Sequence, residues 1–200
     1  MGRNITGYRG RCLLQALIIL LVVSCDQFLK YLVRTNIAFG QTIPEEGGFI
    51  RLLYTLNDGV AFSMLQGTGA VLVVIQSVMV LLISIALVYL NLKKVPGAPL
   101  YCLSLMLGGG VGNLIDRLSA GKVTDFLAVG DFPVFNLADS ALTVGCLIMI
   151  LWLILSEISS ARRAAAASAD EEVVSGPEPG LPAEDRQDPE EEKETAAEGL

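Results

Sequence analysis

The chain has 200 residues, 52% of them hydrophobic, and a formal net charge of −7 without a single histidine. That excludes His-based catalysis and His-ligated metals, and no basic cluster interleaved with aromatics points to nucleic acid. Of the 21 acids, 12 fall in Asp170 to Glu198, which leaves 9 acids against 12 Lys and Arg in residues 1–169, so the apolar body is basic and only the tail is acidic.

The apolar residues are bunched into runs long enough to cross hydrocarbon, so an all-α membrane protein, a four-helix transmembrane bundle, is the expected class. After Arg3, Arg9 and Arg11, the run Cys12 to Val33 is the first span, about 22 residues and sufficient for roughly 30 Å of hydrocarbon. A basic start, an apolar run and then Val22-Val23-Ser24-Cys25 also have the form of a lipoprotein signal peptide. Three further spans make a lipid anchor at Cys25 redundant. Residues 34–69 form an insert outside the membrane, with turn signals at Pro44, Gly47-Gly48 and Asn57-Asp58-Gly59. Within it Phe49 to Leu56 reads as a strand or half of a hairpin, and Val60 to Leu65 as a short amphipathic turn in the interface.

The second span is Ala70 to Leu90, followed by a tight turn bearing Lys93 and Lys94. The third runs from Leu100 to about Asp116 and contains Gly108, Gly109, Gly110 and Gly112, whose GxxxG spacing lets helices approach closely in a membrane. Gly109, Asn113 and Asp116 share one face of that helix. The fourth span is Leu137 to Ser156, and residues 159–200 read as a disordered acidic tail with too few apolar residues to bury a core. Residues 1–158 are thus the working domain. The four cysteines lie in or beside apolar runs with no CxxC spacing, so they read as small packing residues with neither zinc nor a disulfide.

Positive charge at Arg3, Arg9, Arg11, Lys93, Lys94, Arg162 and Arg163 places both termini in the cytoplasm. Asp26, Asn57, Asp116, Asp125 and Asp139 then converge on the outer side. With no His, no suitable Ser-Lys pair and no activated Cys, paired carboxylates are the remaining catalytic group. Asp125 and Asp139, 14 residues apart, are close enough in sequence for a folded-back loop to join them around one water and one shared proton. Asn136 and Asp139 also have the spacing of a capping box, and a helix amino terminus favours ionised Asp139, which makes Asp139 the base and Asp125 the proton carrier. Asp116, beside Arg117, reads as support through an ion pair or a backbone clamp. The competing classes are a small proton- or cation-coupled transporter lined by the carboxylates and a non-catalytic assembly subunit that uses its GxxxG helix.

Asp26-Gln27 with Lys30, Asn57-Asp58-Gly59-Val60-Ala61-Phe62, Gly108-Gly109 with Gly112-Asn113 and Asp116-Arg117, Val123-Thr124-Asp125-Phe126, and Phe132-Pro133-x-Phe135-Asn136-x-Ala138-Asp139-Ser140 together resemble the motifs of bacterial lipoprotein signal peptidase, signal peptidase II, in order and spacing over residues 12 to 157. The resemblance implies a cytoplasmic-membrane aspartic endopeptidase that needs no metal or other cofactor. Such an enzyme cuts prolipoproteins just before a diacylglyceryl-modified cysteine and is blocked by globomycin. It implies that Asp125 and Asp139 are the dyad and that Asn57, Asn113, Arg117 and Asn136 bind substrate backbone or support the dyad. Asp26 and Lys30 are placed close by, Gly59 and Ala138 belong to the same motifs, and residues 34–69 form an extracytoplasmic β-cradle and interfacial helix. Membrane lipids and the lipidated prolipoprotein are the expected partners of a monomer.

Overall fold

The structure, a computed structural model, describes residues 3–45, 47–59, 69–95 and 97–174. Four helices are long and apolar enough to cross a membrane: α1 Arg3–Asn36, α2 Gly69–Leu92, α3 Gly97–Ala120 and α4 Leu137–Val174. Each exceeds its expected span by a few residues or more. At the α3 end Pro99 is accommodated within the first turn, where a missing N–H costs nothing. Residues 159–174, expected to lie in the disordered tail, are helical, because α4 continues to Val174. The reason is composition: Ala161 and Ala164 to Ala167 are the strongest helix formers available, and they propagate the helix without tertiary help. The expected interfacial turn at Val60 to Leu65 lies outside the described residues.

The surface of α1, α2 and α4 is ringed by exposed Leu, Ile and Val, as a lipid-facing surface must be, while α3 is the interior helix. Its glycines are what let it sit there. A Cβ on Gly108 would stand 2.8 Å from the Val22 Cβ of α1, one on Gly112 would meet Asp26 Oδ2 at 2.7 Å, and one on Gly109 would collide with the Ala138 carbonyl of α4. The packing reading of the GxxxG stretch therefore holds on both flanks of α3. Gly109→Val is expected to destabilise the fold by about 1–3 kcal/mol through overpacking, read as a lower melting temperature in detergent. Gly10→Ala, where nothing lies within 4 Å, serves as the control. Equal melting of the two variants would contradict this packing.

A four-stranded antiparallel sheet in the order β1-β2-β3-β4 adjoins one end of α3: β1 Thr42–Ile43, β2 Ile50–Asn57, β3 Val123–Val129 and β4 Phe132–Phe135. Only its first half comes from the insert. The second half is a hairpin in the stretch read from sequence as a folded-back loop. Strand alternation gives β3 two jobs. Phe126 packs against Val33 of α1 and Ile37 just beyond it, and Thr124 contacts Arg34 and Asp116, whereas Val123 and Asp125 face a cavity.

Candidate active site

Asp125 projects from β3 and Asp139 from the first turn of α4, and both line one cavity of about 740 Å³ between α2, α3, α4 and the β3–β4 hairpin. Asn136, immediately before α4, couples them. Its side-chain Nδ2 donates to Asp125 Oδ1 at 2.7 Å, while its Oδ1 accepts the Asp139 N–H at 2.9 Å and its own N–H donates to Asp139 Oδ2 at 3.3 Å. The last two bonds are a reciprocal capping box. The cap is what fixes the Asp139 carboxylate at the cavity wall.

Each carboxylate has a second amide on its other oxygen. Asn57, closing β2, donates to Asp125 Oδ2 at 2.9 Å, and Asn113 of α3 donates to Asp139 Oδ1 at 2.7 Å. Asn113 in turn accepts from Lys30 at 2.9 Å and from Asn136 at 3.1 Å, which fixes its amide with the NH₂ towards Asp139. Asp125 is 2% exposed. Burial is the largest influence on its carboxyl and pushes it up to about 6; the Asn57 hydrogen bond works against the shift and the negative charge of Asp139 adds to it.

Behind the two carboxylates lies a buried ionic cluster. Lys30 stands 2.7 Å from Asp26 and 3.2 Å from Asp116, with all three side chains sealed from solvent. Arg34 reaches Asp116 at 2.8 Å. Asp116 also accepts the Thr124 N–H at 3.0 Å, which ties β3 to α3, and Asp26 accepts the Ala138 N–H at 2.9 Å, which ties α4 to α1. The ion pairs of Asp116 are with α1 and not with the adjacent Arg117. Neighbours at i and i+1 point to different helix faces. Arg117 is the backbone clamp: it donates to the Gly59 carbonyl at 2.9 Å, and the Gly59 N–H donates to Asn57 Oδ1 at 2.9 Å.

All eleven residues singled out from sequence come to this one region. Four more residues build it: Gln27, which bridges Asp26, Asp116 and the Gly112 carbonyl, and Thr124, both of which stand in the quoted motifs without an assigned role, and Arg34 and Gln76, which the motifs leave out. The spacing of Asp26, Lys30 and Arg34 at i, i+4 and i+8 was the available signal for Arg34, and an amide isolated in an apolar span was the signal for Gln76.

Among the described residues no three His, Cys, Asp or Glu side chains are grouped so that they could hold a metal ion. The arrangement offers two carboxylates in an amide-lined, mostly apolar cavity, a constellation suited to activating water on a polar bond of an apolar substrate.

Residues 18–155 match the family model described as signal peptidase (SPase) II. A lipoprotein signal peptidase of Dehalococcoides mccartyi is 42% identical over 144 residues, covering 68% of this chain and 87% of that protein. That of Moorella thermoacetica is 43% identical over 141 residues, covering 70% and 91%. A bacterial membrane enzyme structure obtained by the in meso method at 2.3 Å resolution superposes with a TM-score of 0.64 at 33% identity, covering 72% of this chain and 88% of that one. With four apolar helices, a family model matched over residues 18–155 and relatives that align along nearly their whole length, this multi-pass bacterial membrane protein belongs to the signal peptidase II family of peptidases.

Proposed function

We propose that the chain is an aspartic endopeptidase that removes signal peptides from diacylglyceryl-modified prolipoproteins by cutting just before the lipidated cysteine. The observation that carries this reading is the pair of carboxylates held by Asn136 on one cavity wall. Asp139, capped at a helix amino terminus, is the base that takes a proton from water. Asp125, whose carboxyl stays protonated to about pH 6, hydrogen-bonds the scissile carbonyl and then delivers its proton. The water oxygen adds to the carbonyl carbon, and collapse of the tetrahedral intermediate expels the amine of the cysteine, protonated by the dyad. Asn57, Asn113 and Asn136 hold the carboxylates, Arg117 holds the Gly59 carbonyl beside them, and all four offer hydrogen bonds to substrate backbone.

The cavity wall formed by Leu72, Met79, Ile83 and Leu142 suits acyl chains and an apolar signal segment, each buried CH₂ contributing roughly 0.8 kcal/mol. The basic ends place both termini in the cytoplasm and the dyad on the outer side of the cytoplasmic membrane. Residues 1–158 carry the activity as a monomer without a cofactor, residues 159–200 carry none of the chemistry, and globomycin-type cyclic peptides compete for the cavity.

The testing experiment is cleavage in detergent of matched prolipoproteins with and without the diacylglyceryl group, read by intact mass. The expected result is one cut before the cysteine, in the lipidated form only; cleavage elsewhere or of both forms alike would refute the assignment. The acidity of the dyad sets the pH profile. Above about pH 6 Asp125 loses the shared proton and the acid is gone, so kcat/KM falls about tenfold per unit of pH. An apolar substrate expels water and pushes the carboxyl further up, so the limb in kcat lies at higher pH than the limb in kcat/KM. A flat profile, or limbs in the opposite order, would count against the shared proton.

A further inference from the structure

The geometry points to Gln76 as a positioning residue that sets Arg117 and, through it, the Gly59–Asn57 corner holding Asp125, an inference that rests on the peptidase reading above. Gln76 is the one polar side chain that α2 presents to the cavity among the described residues. An amide there is costly unless both its ends are satisfied, and both are. Its Nε2 donates to the Gly110 carbonyl of α3 at 2.8 Å, which orients the amide so that Oε1 faces Arg117, and Arg117 Nη1 donates to it.

The other arm of the guanidinium, Nη2, donates to the Gly59 carbonyl at 2.9 Å. Gly59 then gives its N–H to Asn57 Oδ1, which leaves Asn57 Nδ2 to donate to Asp125 Oδ2, each at 2.9 Å. Four hydrogen bonds thus run from a helix in the bundle to the catalytic carboxylate. Arg117 makes no ion pair among the described residues. A planar guanidinium with two neutral acceptors in its fork is aimed by them. Without the Gln76 acceptor, Arg117 keeps one tether and a choice of rotamers, and the Gly59 carbonyl is no longer held at a fixed place relative to Asp125.

The test is a double-mutant cycle on lipidated prolipoprotein. Gln76→Met keeps the shape and removes both hydrogen bonds. It is expected to lower kcat/KM about tenfold, and Arg117→Met about 100-fold, as misplaced catalytic groups do. The double variant should be no worse than Arg117→Met alone, since both changes act through one group. Gln76→Glu, which retains an acceptor for Arg117, should recover most of the loss, whereas Gln76→Asn, too short to reach, should not. Losses that multiply, or a Gln76→Glu variant as poor as Gln76→Met, would overturn the inference. Hydrogen exchange at the Gly59 amide provides an arm independent of cleavage: Gln76→Met and Gln76→Asn should expose it and Gln76→Glu should protect it. Unchanged protection in all three overturns the positioning role even if the enzyme cleaves. Wild-type protein that shows the exchange pattern but cuts no prolipoprotein overturns the peptidase reading instead.

Discussion

Asp125→Asn and Asp139→Asn are each expected to lower kcat by about 1,000-fold or more, the scale of losing positioned acid–base groups, while folded protein is still recovered. Asn matches the carboxylate in shape, so the cavity wall is kept. At Asp125, both oxygens accept from amides, Asn136 and Asn57. An NH₂ in place of one oxygen sets donor against donor and costs about 1–3 kcal/mol locally, tolerable for a folded bundle. The pair acts as a unit, so the double variant should be about as slow as either single one. Cleavage by mass together with melting in detergent separates the two effects. Near-normal turnover in either single variant would remove that carboxylate from the mechanism.

The largest expected effect on stability is at Lys30. Its ammonium neutralises Asp26 and Asp116, and all three side chains are fully buried. Lys30→Met leaves Asp26 without a cation, since Arg34 reaches only Asp116. Removing one partner of a buried ionic group costs about 3–5 kcal/mol. Activity should fall with stability, because Asn113 loses the donor that orients it towards Asp139. Adding Asp26→Asn to Lys30→Met should recover part of the stability, because it removes the orphaned charge, although the Ala138 N–H then bonds a weaker acceptor. Denaturant or thermal unfolding of the two variants checks the sign of that rescue; a further loss would mean that the charge of Lys30 is not what the cluster needs.

Much of this site was legible in the sequence because its parts obey local rules. Apolar runs set the spans, the glycines of α3 announced close packing, and Asn136 with Asp139 had capping spacing. What escaped was decided by tertiary partners. The stretch after Lys122 read as a loop, although Val123, Thr124 and Phe126 favour strands and Gly130-Asp131 is a two-residue hairpin turn, with Gly130 at a φ of 53°. The aspartates of that run, beside a membrane span, break its alternation of apolar and polar residues. Asp116 was read with its chain neighbour Arg117, whereas the bundle turns it to Lys30 and Arg34 on another helix. Gln76 was passed over because its value lies wholly in partners on α3.

The shared proton is the centre of the account, and infrared titration of the carboxyl stretch in detergent observes it directly. Wild-type protein should gain one protonated carboxyl as pH falls through about 6, and Asp125→Asn should lack that step. No protonated carboxyl until the pH approaches 3.8, the ordinary aspartate value, or the same step surviving in Asp125→Asn, would show that Asp125 does not hold the proton on which the chemistry depends.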